Sequence, residues 1–357
     1  MTRHTPIIPV DPHHPDADAI RQAAAVLRDG GLVAFPTETV YGLGANALDA
    51  EAIAGIYRAK GRPANNPLIA HISTVAELAR VAVDIPERAH QLAAAFWPGA
   101  LTLVLKRHPQ VPGSVSLGRD TIAVRLPSHP VAHALIEAAG VPVVAPSANR
   151  FTRPSATTAQ HVLADLDGRV DLILDGGPTP IGVESTVVDL TVDPPIVLRP
   201  GGVTFEALRE HMPDVQRYSA AVAMDDDSAR PASPGMLSKH YSPNASMLLF
   251  RGPFEAVTDA MRQTIGDCMQ AGQKVGLLLP DAEQPLFANL DVEVVRLGAD
   301  AAQMARHLFA ALRQLDEQGV DCILARIPPA EGLGVTVGDR LLRAAEGQVI
   351  DVTDADI

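Results

Sequence analysis

Short apolar runs, each cut off by a proline or a polar cluster, alternate in this chain with stretches where apolar positions recur every three or four residues. The first kind of run reads as a buried strand and the second as an amphipathic helix. Residues 16–29 carry Ile20, Ala23, Ala24 and Leu27 on one side and end at Gly30-Gly31, which predicts a helix. The run 32–35 predicts a strand that stops at Pro36, since proline lacks the N–H that a central strand donates. Tyr41-Gly42-Leu43-Gly44 predicts a turn, because glycine opens backbone conformations closed to other residues. Further helices are expected over 49–59, 74–81, 86–96 and 130–139. Strands are expected over 101–105, 121–126, 141–145, 170–174, 182–190 and 196–198.

Several of these strands end in side chains that can do chemistry. Thr37, Glu38 and Thr39 follow the first, Ser147 and Asn149 follow the run 141–145, Ser185 heads the run 182–190, and Arg199 closes the run 196–198. In open α/β sheets ligands bind outside the carboxyl ends of strands, so ends of one kind point to the rim of one cavity. Arg125, inside an apolar run, faces either a cleft or a salt-bridge partner. Lys60 is one of only four lysines and lies between Arg58 and Arg62 in a chain of net charge -13. A positive knot in an acidic protein suits a polyanionic phosphate, and Lys60 and Arg62 are expected to be exposed at the cavity.

Composition narrows the class. The 357 residues are too many for one ordinary core and predict two domains: a first over 1–212, a linker over 213–244, and a second over 245–357. Hydrophobic residues make up 47% and charged residues 20%, which are globular values. No window holds eighteen uncharged apolar residues, and the N-terminal stretch lacks the apolar core of a signal peptide, so the expectation is a cytoplasmic protein with no membrane partner. Cys268 and Cys322 lie far apart with no ligand spacing around either and read as reduced and structural, and no Cys/His cluster supports a protein-held metal. A Walker loop, a GxGxxG fingerprint, a triad spelling and a paired-carboxylate motif are all absent. Hydroxyls, amides and guanidinium groups without a nucleophile suit a reaction that needs positioning and charge neutralisation, such as attack on an activated phosphate.

Six motifs then fall in a familiar order: Pro36-Thr37-Glu38-Thr39-Val40-Tyr41-Gly42-Leu43-Gly44; Lys60-Gly61-Arg62-Pro63 with Asn66-Pro67-Leu68; Phe96-Trp97-Pro98-Gly99; Val124-Arg125-Leu126-Pro127; Pro146-Ser147-Ala148-Asn149; and Ser185-Thr186-Val187-Val188-Asp189. This order resembles the threonylcarbamoyl-AMP synthases, whose catalytic unit is the YrdC-like domain. Ser233-Pro234-Gly235-Met236-Leu237-Ser238-Lys239-His240-Tyr241-Ser242-Pro243 resembles the linker of their two-domain form. Two positions depart from the pattern: a glycine is the expected residue near Thr152, and Ala100 stands where proline is usual.

The resemblance implies an α/β fold, with a YrdC-like twisted open mixed sheet around a central cavity and a smaller Rossmann-like C-terminal domain. It implies synthesis of L-threonylcarbamoyladenylate from L-threonine, bicarbonate and ATP with release of pyrophosphate. Mg²⁺ would arrive on the ATP phosphates. The product would pass to the tRNA threonylcarbamoyl transferase machinery for t6A modification next to the anticodon, with tRNA met only indirectly. Carried over by motif, the L-threonine side would involve Thr39, His71, Arg125 and Ser185. The ATP side would involve Lys60, Arg62, Asn66, Thr121, Ser147, Asn149, Ser155, Arg199 and Tyr241, with Lys60 and Arg62 also catalytic. The linker segment 233–243 reads as a lid, with Tyr241 packing at the start of the second domain as the rival reading. Two other classes stay open: an RNA-binding protein, which the acidic balance disfavours, and a carbamoyl or adenylyl transferase acting on another acceptor.

Beyond the linker, apolar runs at 247–250, 274–279, 292–297 and 322–327 are separated or followed by helical patterns at 254–271, 301–318 and 339–345. That alternation predicts a small, mostly parallel sheet covered on both faces. Met304, Leu308, Phe309, Leu312 and Leu315 read as packing residues.

Overall fold

The amphipathic and strand-like runs meet in the computed structural model, which describes residues 4–63, 66–217 and 241–353. Among these, 4–151 and 155–217 form one compact unit, and 152–154 with 241–353 form a second.

In the first unit the strands are β1 (Ile7–Pro9), β2 (Val33–Phe35), β3 (Gly42–Asn46), β4 (Ile69–His71), β5 (Ala82–Val83), β6 (Leu101–Arg107), β7 (Thr121–Arg125), β8 (Val143–Val144), β9 (Leu172–Asp175), β10 (Thr186–Asp189), β11 (Ile196–Arg199) and β12 (Gln216–Arg217). They form one mixed sheet in the order β1-β9-β2-β3-β8-β4-β7-β6-β10-β11-β12, with β5 paired to β6. Its helices are α1 (Ala17–Arg28), α2 (Ala50–Lys60), α3 (Leu78–Val81), α4 (Glu87–Phe96), α5 (Pro130–Ala139), α6 (Ala159–Leu166) and α7 (Phe205–His211). Local chemistry sets the helix ends. The Asp16 and Asp49 carboxylates each accept two backbone N–H bonds at the starts of α1 and α2, and Gly61 closes α2 at φ 62°.

The period-two rule is visible in β2. Val33 and Phe35 face a core shared with α1 and α5, while Ala34 faces the larger core holding Tyr41, Leu43, Ile53, Ile56 and Trp97. The expected turn over 41–44 is instead the start of β3. Gly42 and Gly44 are needed there for closeness rather than for a positive φ. A Cβ on Gly44 would lie 2.8 Å from Phe35 and 3.0 Å from Val143, and one on Gly42 would lie 3.2 Å from the Cβ of Ala145.

The second unit contains β13 (Ser246–Arg251), β14 (Val275–Pro280), β15 (Glu293–Gly298), β16 (Cys322–Arg326) and β17 (Val349–Asp351), all paired in parallel in the order β15-β14-β16-β13-β17. Three helices accompany them: α8 (Phe254–Gln270), α9 (Ala301–Glu317) and α10 (Leu333–Ala344). The five packing residues expected on α9 are all buried. Cys268 on α8 and Cys322 on β16 are free, as expected, but they are neighbours in space. Burial first, then the adjacent Cys268, pushes the Cys322 thiol up to about 11.

Candidate functional site

Strand register sorts the expected site residues into two groups. β4 runs parallel to β7 with His71 beside Arg125, and antiparallel β6 brings Thr102 opposite Arg125. β10 runs parallel to β6, so Ser185, just ahead of it, lies at that same edge, and the antiparallel return of β11 brings Arg199 back to it. The first group is therefore His71, Arg125, Thr102, Ser185 and Arg199. At the other end of β4 and β8 stand Asn66, Ser147 and Asn149, joined there by Lys60. Thr121 opens β7 on this second side, about 13 Å along the strand from Arg125.

In the first group Arg125 is nearly fully buried, and each of its three nitrogens lies against a partner. Its Nε donates to the Gly99 carbonyl at 3.1 Å, its Nη1 donates to the Thr39 hydroxyl at 2.9 Å, and its Nη2 pairs with Glu38 at 2.6 Å. Of the two readings the sequence left open, a salt-bridge partner is present, and that partner is Glu38. Burial alone would raise the Glu38 carboxyl, but the Arg125 charge outweighs it and holds Glu38 below the usual range. His71 is buried beside the pair. Burial, then the Arg125 charge, drives its imidazole down to about 3, so it is neutral at physiological pH. Arg199 donates from Nε and Nη2 to the Ser185 carbonyl at 3.1 and 2.9 Å, and the Ser185 hydroxyl lies 2.7 Å from that of Thr102.

In the second group the Lys60 ammonium donates to the carbonyls of Ser147 and Asn149, both at 2.5 Å. Arg62 donates to the carbonyls of Asn66 and Pro67 at 3.3 and 3.0 Å. The expectation that Lys60 and Arg62 are exposed is overturned: they are 2% and 6% exposed. The reason is visible in α2, whose last residue is Lys60; the side chain turns inward to donate to the Ser147 and Asn149 carbonyls. The Asn66 side chain is completely buried, and its amide has no hydrogen-bond partner among the described residues.

Two loops run between the groups. Loop 36–41 carries Thr39 to Arg125, and its Tyr41 N–H donates to the Ala156 carbonyl at 2.8 Å. Loop 146–157 leaves the Lys60 side and carries Ser155, whose buried hydroxyl donates to Glu184 at 2.6 Å, next to Ser185.

Tyr241 belongs to the second unit. Its ring is 1% exposed, stacked 5.1 Å from Phe309 with the Arg340 guanidinium 5.4 Å from the ring centre. Linker residues 218–240, with the expected lid residues Met236 and His240, lie outside the described residues. Glu38, named among the strand-end side chains but given no role, and Glu184, inside the run 182–190, both contact expected site residues, Arg125 and Ser155. The available signal was a carboxylate directly beside a strand end in an otherwise apolar context. No group of three or more His, Cys, Asp or Glu is placed to hold a metal ion among the described residues, and no described helix is long and apolar enough to cross a membrane.

Comparison with known proteins agrees with this architecture. A family model described as "Telomere recombination", which groups Sua5, YciO and YrdC proteins, matches residues 25–201. A second, described as "Threonylcarbamoyl-AMP synthase, C-terminal domain", matches 203–346. The chain is 46% identical to the threonylcarbamoyl-AMP synthase of Pyrococcus abyssi over 93% of its length and 96% of the relative's. It is 43% identical to that of Bacillus subtilis over 93% and 94%. Among solved structures, P. abyssi Sua5 in complex with L-threonine superposes with a TM-score of 0.91 at 44% identity, covering 98% of this chain and all of that one. Escherichia coli YciO superposes with a TM-score of 0.50 at 30% identity, covering 56% of this chain and 96% of its own. Fold and relatives together define an enzyme of the nucleotidyltransferase type, built on a YrdC-like sheet with a second α/β unit. The chain belongs to the threonylcarbamoyl-AMP synthase family.

Proposed function

We propose that this enzyme makes L-threonylcarbamoyladenylate from L-threonine, bicarbonate and ATP, releasing pyrophosphate. The observation that carries the reading is the division of the site into two groups. His71, Arg125, Ser185 and, through loop 36–41, Thr39 stand together as the amino-acid side. Lys60, Arg62, Asn66, Thr121, Ser147 and Asn149 make the nucleotide side, with Ser155 at the end of the joining loop. Arg199 donates to the Ser185 carbonyl, which keeps its guanidinium beside the amino-acid group and suits a cation serving the shared phosphate. Tyr241 is assigned to ATP from the family motif alone, since its ring packs within the second unit.

In this mechanism the threonine amine attacks the bicarbonate carbon and water leaves, giving a carbamate, and a carbamate oxygen then attacks the α-phosphorus of ATP. The bond to the bridging oxygen breaks and pyrophosphate leaves with the Mg²⁺ that came with the nucleotide. Arg125 recognises the amino-acid carboxylate, for which Glu38 holds it in place before substrate arrives. Among the described residues the buried Asn66 amide has no hydrogen-bond partner, which supports a polar ligand group at that point, because an unmet amide is costly in the free fold. A mixed anhydride of this kind is a reactive donor, which suits onward transfer of the product to the machinery that modifies tRNA. With ¹³C-bicarbonate, L-threonine and MgATP, mass spectrometry is expected to find labelled threonylcarbamoyl-AMP and no adenylylated or phosphorylated protein. A trapped covalent enzyme intermediate would overturn the direct displacement.

A further inference from the structure

Ser155 and Glu184 form a buried pair within the first unit. A serine hydroxyl has one proton to donate and two lone pairs to offer. At Ser155 the proton is directed at the Glu184 carboxyl, and the 2.6 Å separation is that of a charge-assisted O–H···O⁻ bond. What Ser155 keeps for any other partner is therefore its lone pairs.

Both ends of the pair are held by the backbone around them. Just after Ser155, the Ala156 carbonyl accepts from the Tyr41 N–H at 2.8 Å and the Thr157 carbonyl accepts from the Thr179 N–H at 3.0 Å. Just before Glu184, the Ile181 and Gly182 N–H groups donate to the carbonyls of Glu38 and Thr39 at 2.9 and 3.0 Å. The Glu184 carbonyl itself accepts from the Gly202 N–H at 3.0 Å, and a Cβ on Gly201 would lie 2.4 Å from that oxygen. The next residue, Ser185, is fixed separately by Arg199 and Thr102. The Ser155 hydroxyl thus meets a carboxyl group whose position the surrounding turn dictates. Turning its proton elsewhere would take a hydrogen bond away from a buried carboxylate oxygen, which is costly.

We propose that Glu184 is a positioning residue that sets the polarity of Ser155, so that Ser155 meets the nucleotide as a hydrogen-bond acceptor. It then recognises a donor on the nucleoside, a ribose hydroxyl or the adenine amine, and not a phosphate oxygen. An ionised phosphate oxygen offers lone pairs only, so it finds no donor in a hydroxyl already committed to a carboxylate. The proposal rests on the assignment of Ser155 to the ATP side, where Lys60 and Arg62 are the groups suited to phosphate.

The test is calorimetry on the full-length protein, Ser155→Ala and Glu184→Gln. The ligands are MgATP, L-threonine and the magnesium triphosphates of 2′-deoxyadenosine, 3′-deoxyadenosine and purine riboside, each of which lacks one nucleoside donor. One of these analogues is expected to bind the unaltered protein about tenfold more weakly than ATP, which identifies the donor. Ser155→Ala is expected to bind ATP and that analogue within about twofold of each other, because the acceptor is gone. In Glu184→Gln the amide can donate to Ser155 and release the hydroxyl proton, so the preference for ATP is expected to narrow to about threefold or less. L-Threonine affinity is expected to stay within about twofold in both variants, since Ser185 has its own supports.

Analogues that all bind like ATP, or a preference that Ser155→Ala leaves intact, would overturn the proposal. An undiminished preference in Glu184→Gln, or parallel loss of L-threonine and MgATP there, would show that Glu184 does not act through the polarity of Ser155. Should Glu184→Gln fail to fold, Ser155→Ala decides alone. An unaltered protein that binds no MgATP would instead reject the functional reading, and the assignment of Ser155 with it.

Discussion

At the scale of single residues, the site is built from charges taken out of water and then satisfied. Lys60 shows the consequence most plainly. Because its ammonium serves the Ser147 and Asn149 carbonyls, Lys60→Ala removes an internal donor and, on the proposed reading, a charge for the ATP phosphates. Pyrophosphate release should fall at least about tenfold, and urea unfolding should show a loss of roughly 1–3 kcal/mol, the usual effect of leaving buried acceptors unmet. Arg62→Ala should behave alike, since it too is buried on carbonyls. Variants that keep full stability while losing activity would mean that these carbonyls find water at no penalty.

His71 gives a pH signature. Its folded-state value of about 3 lies below its ordinary 6.5, so the unfolded chain binds a proton that the native chain refuses. The stability this contributes is complete above pH 6.5 and is lost as pH falls from there toward 3, by up to ~1.4 kcal/mol per pH unit. Glu38, also depressed, adds loss of the same sign once pH falls below the ordinary carboxylate range. Comparing the protein with His71→Asn by urea unfolding between pH 7 and 5 should show a shallower pH slope in the variant. Equal slopes would contradict a buried neutral imidazole.

At the scale of elements, much was legible because the period of the pattern is physical. The helix expected over 130–139 is found over those residues as α5, and that over 86–96 begins one residue later as α4, since their apolar stripes and proline starts leave little choice. In the second unit four strands and two helices fall within a residue or two of expectation, and the third helix begins earlier, at Leu333. What escaped has separate causes. β3 was read as a turn because glycine is ambiguous between conformational freedom and closeness, and only the packed Phe35 ring distinguishes the two. β1, β4 and β12 are two or three residues long, too short to show any period. α7 lies in what read as the end of the first domain, although Leu208, Met212 and Val215 join the main core.

The motif ending in Gly201-Gly202 makes an element-scale prediction. A Cβ on Gly201 would lie 2.3 Å from the backbone between Ser185 and Thr186, where no flexible side chain can yield. Gly201→Ala must therefore push β11 from the start of β10 and break the Arg199 bonds to Ser185. The expected loss is about 3 kcal/mol in thermal or urea unfolding, with turnover abolished. A variant of native stability would show that the strand ends are not packed in this way.

At the scale of the whole molecule, the sequence carried the class of chemistry further than the arrangement that delivers it. Hydroxyls, amides and cations at strand ends were readable one by one. Which of them share an edge depended on a strand order that crosses the chain many times, and no local pattern encodes that order. The same holds for Arg125 and Glu38, 87 residues apart and yet a buried pair at 2.6 Å. On the proposed reading, Lys60 and Arg62 serve an anionic ligand in an otherwise acidic chain, and the first group supplies its amino-acid neighbour.

Pyrophosphate release from MgATP in bicarbonate buffer, measured with each common amino acid in turn, tests that pairing most directly. The two-group site predicts release that depends on an added amino acid and is fastest with L-threonine. Release that is equal without any amino acid, or faster with a different one, would contradict it.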